Sequence, residues 1–104
     1  MTSPETITVP FDTRLTIAEV PDCYVRLLAL LLDGKPLIMD LQAITRIDTA
    51  GLQLLYCFAA EAKRLQIVLN WQPLPASVQQ ALDLAGIDLT GNAAANTESP
   101  WQSF

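Results

Sequence analysis

The stretch from Leu37 to Phe58, LIMDLQAITRIDTAGLQLLYCF, constrains this fold more than any other part of the chain. Its opening, Leu37 to Leu41, barely alternates between apolar and polar, the pattern of a strand covered on both faces in a parallel sheet. Its later part repeats at helical intervals: Leu52, Leu55, Tyr56 and Ala59 form one stripe, with Leu54 and Phe58 beside it. Between the two lies Ile47-Asp48-Thr49-Ala50-Gly51. Asp48 is a favourable N-cap, able to accept from the N–H groups two or three residues on. Ile47 and Leu52 stand at the two positions of a hydrophobic staple. A strand therefore feeds a helix running to about Leu65, and the first turn of that helix carries an acid and a hydroxyl side by side. So wide an apolar surface suits a helix that touches more than the sheet.

The remaining elements fall around this unit. Thr6 to Pro10 alternates and is rich in β-formers, Asp12-Thr13 can turn the chain, and Arg14-Leu15-Thr16 can return as a short second strand, giving an antiparallel edge. Thr16-Ile17-Ala18-Glu19 has capping-box spacing. Pro21 then falls in the second turn, so either that start is distorted or the regular helix begins near Pro21. Tyr24, Leu27, Leu28, Leu31 and Leu32 recur at helical intervals, and Gly34 suits the position just past the helix end. Gln66 to Trp71 reads as a strand cut off by Pro73 and Pro75. Pro75 suits the first turn of a last helix whose apolar face is Val78, Ala81, Leu82 and Ala85. Gly86 can close that helix, with Ile87 reaching back to Leu82.

The order is β-β-α-β-α-β-α. It predicts an α/β fold, a small mixed sheet of about four strands with helices packed against it, as one domain over residues 1–89. Beyond Leu89 the small polar run TGNAAANTESPWQSF, residues 90–104, is expected to be a mobile tail, with Trp101 and Phe104 as its only anchors.

Composition narrows the function. The net charge is −5, and no basic cluster exceeds Lys63-Arg64, so nucleic acid and anionic membrane surfaces are poor partners. No apolar run approaches the roughly 20 residues of a bilayer span, so no membrane insertion is expected. The N-terminus lacks a basic region followed by an apolar one, which predicts a cytoplasmic protein. Charged residues are 16% of the chain, against roughly 25% in an ordinary soluble domain. Such a chain leaves apolar surface for a protein partner to cover, or else packs its many Ala and Leu tightly. With no histidine and only Cys23 and Cys57, neither in CxxC spacing, a structural zinc site and a Cys-His nucleophile are excluded. Both thiols are expected to be buried and reduced. No metal and no cofactor is expected, and with no glycine-rich phosphate loop the chain is not read as an enzyme.

The run LIMDLQAITRIDTAGLQLL resembles the signature of STAS domains, a family that includes the anti-sigma factor antagonists. There a buried strand ends in Asp, a short loop follows, and Asp-Ser/Thr-x-Gly-Leu opens a helix. The resemblance runs from about Leu15 to Ile87: Leu15-Thr16-Ile17 matches the entry to the first helix, and Leu84-Ala85-Gly86-Ile87 the close of the last. It implies a non-enzymatic binding module. Carried over residue by residue, it makes Thr49 the acceptor of phosphate from a partner kinase that is also the anti-sigma factor, and Asp48 its flanking acid. Gly51 permits close backbone approach. The partner surface is expected at Asp48, Thr49, Ala50, Gly51, Gln53 and Leu54. Phosphate on Thr49 is then expected to end binding.

Three features differ from the family pattern. The acceptor is Thr rather than the commoner Ser. Asp12-Thr13-Arg14 stands where many members have a glycine. The chain after Leu89 is short. The Asp-Thr pair is similar to the STAS subunit of the bacterial phospholipid-trafficking ABC transporter, which clamps an ATPase subunit through the same surface. That is the alternative role.

Other residues carry two readings each. Hydroxyls and acids start helices without any further function, so Asp48-Thr49 can be helix-start chemistry alone. Asp40 can pair with Asp48 in acid/base work, or can end its strand by accepting local hydrogen bonds. Arg46 can attract phosphate, or can be a solvated loop residue. Trp71 can stack a ligand, or can pack at a strand end.

Overall fold

The computed structural model describes residues 5–89. The tail expected over residues 90–104 lies outside them. Five strands and three helices follow one another as β1 (Ile7–Pro10), β2 (Arg14–Leu15), α1 (Val20–Asp33), β3 (Leu37–Asp40), β4 (Arg46–Ile47), α2 (Thr49–Arg64), β5 (Leu69–Trp71) and α3 (Ala76–Ala85). The class is α/β, as the alternation of strand and helix patterns predicts.

The pairing differs from the expected hairpin. β1 does not fold back on β2. It runs parallel to β3, with Ile7 beside Leu37 and Pro10 beside Asp40. β3 is also parallel to β5, so the main sheet has the order β1-β3-β5. β2 instead pairs in parallel with β4, a strand of two residues within what the sequence reads as a loop. Both partners of each ladder are separated by a helix or a long connection, and such strands pair in parallel. Asp12-Thr13 therefore carries the chain from one sheet to the other rather than turning it back.

Three helix ends show how local chemistry sets the boundaries. At the start of α1, Glu19 Oε1 accepts from the Thr16 N–H at 2.9 Å and from its hydroxyl at 2.6 Å. That is half of a capping box. The hydroxyl bond holds the Glu19 carboxyl below its ordinary pKa. The regular helix nevertheless begins only at Val20, with Pro21 in its first turn, where a missing N–H costs nothing. α2 ends in a Schellman motif: the Ile67 N–H donates to the Ala62 carbonyl at 2.8 Å and the Gln66 N–H to Lys63 at 3.1 Å. Gln66 takes the left-handed conformation this motif requires, with φ 61°, so β5 starts at Leu69 and not at Gln66. α3 ends the same way, with Gly86 in the left-handed position and the Ile87 N–H bonded to the Leu82 carbonyl at 3.0 Å.

Phe58, Leu54 and Leu55 of α2 meet Leu27 of α1, Leu37 and Met39 of β3, and Val78 of α3 in one buried cluster. Leu32, expected on the inner stripe of α1, is instead 81% exposed. The helix turns Leu27 and Leu31 inward, and Val25 and Leu32 stand outside. Ser77 of α3 donates its hydroxyl to the Ile44 carbonyl at 2.7 Å, and the Gln42 amide donates to the Pro73 carbonyl. These bonds tie the connection between β3 and β4 to the first turn of α3 and to the connection before it.

Candidate functional site

The small β2–β4 ladder builds the site. Leu15 and Ile47 are register partners at the ends of the two strands. The segments that leave them, Thr16-Ile17 and Asp48-Thr49, therefore emerge side by side. Asp48 joins the two. One carboxylate oxygen accepts the Gly51 N–H at 3.0 Å and so caps α2. The other accepts the Ile17 N–H at 2.9 Å. The Asp48 N–H in turn faces the Leu15 carbonyl at 3.4 Å. Partial burial pushes the Asp48 carboxyl up, but the backbone N–H groups of Gly51, Ile17 and Ala50 outweigh it, and the group sits below its ordinary pKa.

Gly51 is fixed by contact. A Cβ there would lie 2.1 Å from the Leu15 carbonyl oxygen, so only glycine lets α2 pass this close to β2. The family resemblance implies a close backbone approach at Gly51, and the neighbour found there is a strand of the same chain.

Thr49 is the first residue of α2 and is exposed. Its hydroxyl stands at the end of the helix that carries about half a positive charge. Gln53, one turn on, is also exposed, and Ala50 is half-buried. Leu54 does not belong to this surface: it is fully buried in the core cluster. Helical geometry explains the correction, because Leu54 lies on the buried face of α2 while Gln53, about 100° away around the helix axis, is turned out to solvent. Gly51 is buried as well, and Asp48 spends both carboxylate oxygens on backbone N–H groups.

One surface residue was missed. Ile17 is 68% exposed, and the bond from its N–H to Asp48 holds its backbone beside the start of α2. The signal was the Leu15-Thr16-Ile17 segment itself, read only as a strand end and helix entry. Arg14 and Arg46 are register partners on the same ladder and both are exposed. Arg14 faces Glu19 at 3.9 Å.

Asp40 and Trp71 make local contacts. Asp40 accepts the Gln42 N–H at 3.0 Å, a short turn that ends β3. Trp71 is half-buried in β5 beside Met39. Cys57 is buried and Cys23 half-buried, and burial pushes both thiols up, away from nucleophilic character. Among the described residues no three His, Cys, Asp or Glu side chains gather as a metal site. Among them, too, no helix is long and apolar enough to cross a membrane.

A family model described as "Mlab, STAS domain" matches residues 2–89. No curated protein and no solved structure gives a significant match.

Proposed function

The chain belongs to the STAS domain family, and from that premise we propose that it is a non-enzymatic docking module whose protein partner sits on the start of α2. STAS domains are in general regulatory and interaction modules. The observation that carries the reading is that two exposed residues, Thr49 and Ile17, lie on backbone segments joined through Asp48. Asp48 locks the two backbones together, so the face is preorganised and little ordering is needed on binding. Ile17 and Ala50 offer apolar contact, and Thr49 and Gln53 offer hydrogen bonds.

In the finer reading, Thr49 is the switch. Phosphate adds about −1.5 to −2 charges at pH 7. A helix N-terminus tolerates an anion, so the fold stays intact and the loss falls on the interface. The partner is then an anti-sigma factor that is also a serine/threonine kinase. A loss of even about 2.8 kcal/mol weakens binding about 100-fold.

A second reading is supported by the threonine in place of serine and by the matching description, which names Mlab and not a sigma-factor antagonist. In it the chain is the accessory subunit of a phospholipid-trafficking ABC transporter and stabilises the ATPase through the same face. Affinity purification from the native cell with intact-mass measurement separates the two. A phosphate on Thr49 and a co-purifying kinase support the first; an ABC ATPase with unmodified Thr49 supports the second. In either case Thr49→Glu weakens capture of the partner and Thr49→Ala retains it. Equal capture by the two variants overturns the docking site.

A further inference from the structure

The two-stranded ladder under the docking face also carries a pair of like charges. Arg14 of β2 and Arg46 of β4 are register partners, so their backbones lie about 4.8 Å apart. Side chains alternate along a strand. Leu15 is buried and its partner Ile47 half-buried, and the two arginines before them are exposed. Like charges set side by side on neighbouring strands repel, so the pair favours a nearby anion.

The chain supplies that anion only in part, although it holds 11 acidic residues against 6 basic ones. Lys35 lies 3.3 Å from Glu5 and Arg64 lies 2.6 Å from Glu61. Arg26 lies over the Phe11 ring. Arg46 has no acidic side chain within ion-pair distance among the described residues. Arg14 meets Glu19 at 3.9 Å, too long for a hydrogen bond, and the other Glu19 oxygen is taken by the Thr16 N–H and hydroxyl. Asp48, two residues after Arg46, spends its oxygens on the Gly51 and Ile17 N–H groups.

We propose that Arg14 and Arg46 together receive the carboxylate of an Asp or Glu side chain on the protein that docks at the start of α2. The inference rests on the docking reading above and adds the partner's charge. Both strands run in the same direction, from Arg14 and Arg46 toward Ile17 and Thr49 three residues on. Three residues of backbone cover at most about 10 Å, so one short partner segment spans the arginines and the exposed Ile17. A guanidinium fork binds a carboxylate through two parallel N–H···O bonds, and complementary charge of this kind fixes the register of docking and speeds encounter. Two arginines are too few to hold nucleic acid or an anionic membrane against a net charge of −5. A single carboxylate on a protein surface needs no more.

The probe is the protein that co-purifies with the full wild-type chain, isolated and titrated by calorimetry against variants of that chain. The Arg14→Gln/Arg46→Gln double variant should bind about tenfold or more weakly at low salt, and the gap should close at high salt, where exposed charges are screened. It should melt near the wild type, because the one ion pair it removes is exposed. Carbodiimide treatment of the Arg46→Lys complex should join the introduced amine to a Glu or Asp of the partner, located by peptide mass mapping. Wild-type affinity in the double variant, with Thr49→Glu still failing to bind, overturns this inference and leaves the docking face standing. Equal binding by Thr49→Glu and Thr49→Ala removes the docking face, and this inference with it. Cross-links confined to the chain's own acids overturn it, as does capture abolished by nuclease, which would make the anion a nucleic acid.

Discussion

Gly51 in α2 and Leu15 in β2 approach so closely that a methyl group on the glycine would sit 2.1 Å from the leucine carbonyl oxygen. The obstacle is backbone, so no rotamer change relieves it. Gly51→Ala must push α2 off the β2–β4 ladder or break the cap at Asp48. The expected loss is about 3 kcal/mol of stability, read as a lower urea midpoint with an unchanged slope.

Asp48→Ala removes the acceptor of two backbone N–H groups, those of Gly51 and Ile17. Loss of a good N-cap costs about 1–2 kcal/mol. The pH dependence has a definite sign. The folded-state pKa lies below the ordinary carboxylate value, so the native state favours the charged form. The contribution is complete above the unfolded value of about 4 and disappears as pH falls through the lower folded value. Thermal melts from pH 7 down to pH 3 should show the variant converging on the wild type at the acid end. A gap that widens toward low pH would contradict the assignment.

Legibility in the sequence followed the range of the interactions involved. The α2 start was readable because a cap is a contact between residues three apart, and Asp48 bonds Gly51 as its spacing predicts. The Gly86 close of α3 was readable for the same reason. The partner of β1 was not, because pairing with β3 rather than β2 is decided across an intervening helix. The second bond of Asp48, to Ile17, spans 31 positions and follows only from the β2–β4 ladder. Leu54 was placed on the partner surface because motif resemblance does not state which way a helix faces, whereas burial does.

Gln66 is the described non-glycine residue with positive φ, at 61°. The left-handed conformation costs a residue with a Cβ about 1 kcal/mol or more, and glycine adopts it freely, although it also raises the conformational entropy of the unfolded chain. Gln66→Gly should therefore stabilise the protein by about 0.5–1 kcal/mol, raising the melting temperature. Gln66→Val, with a branched Cβ in the same position, should lower it.

A charge at Thr49 tests whether loss of binding is an interface event or a folding defect. Thr49 is exposed at the first position of α2. Thr49→Glu places a negative charge at the positive end of the helix, which is favourable, and beside Asp48, which is unfavourable. Each term is about 0.3–1 kcal/mol at an exposed site, so stability should stay within about 0.5 kcal/mol of the wild type. Thr49→Lys meets the opposite balance: the helix end repels it and the Asp48 carboxylate attracts it. Both variants should melt near the wild type, and the small differences should shrink further in high salt, where exposed charges are screened. If Thr49→Glu loses its partner while melting normally, an anion at the helix tip acts on docking alone. If it melts far below the wild type, the residue supports the fold and the switch reading of Thr49 fails.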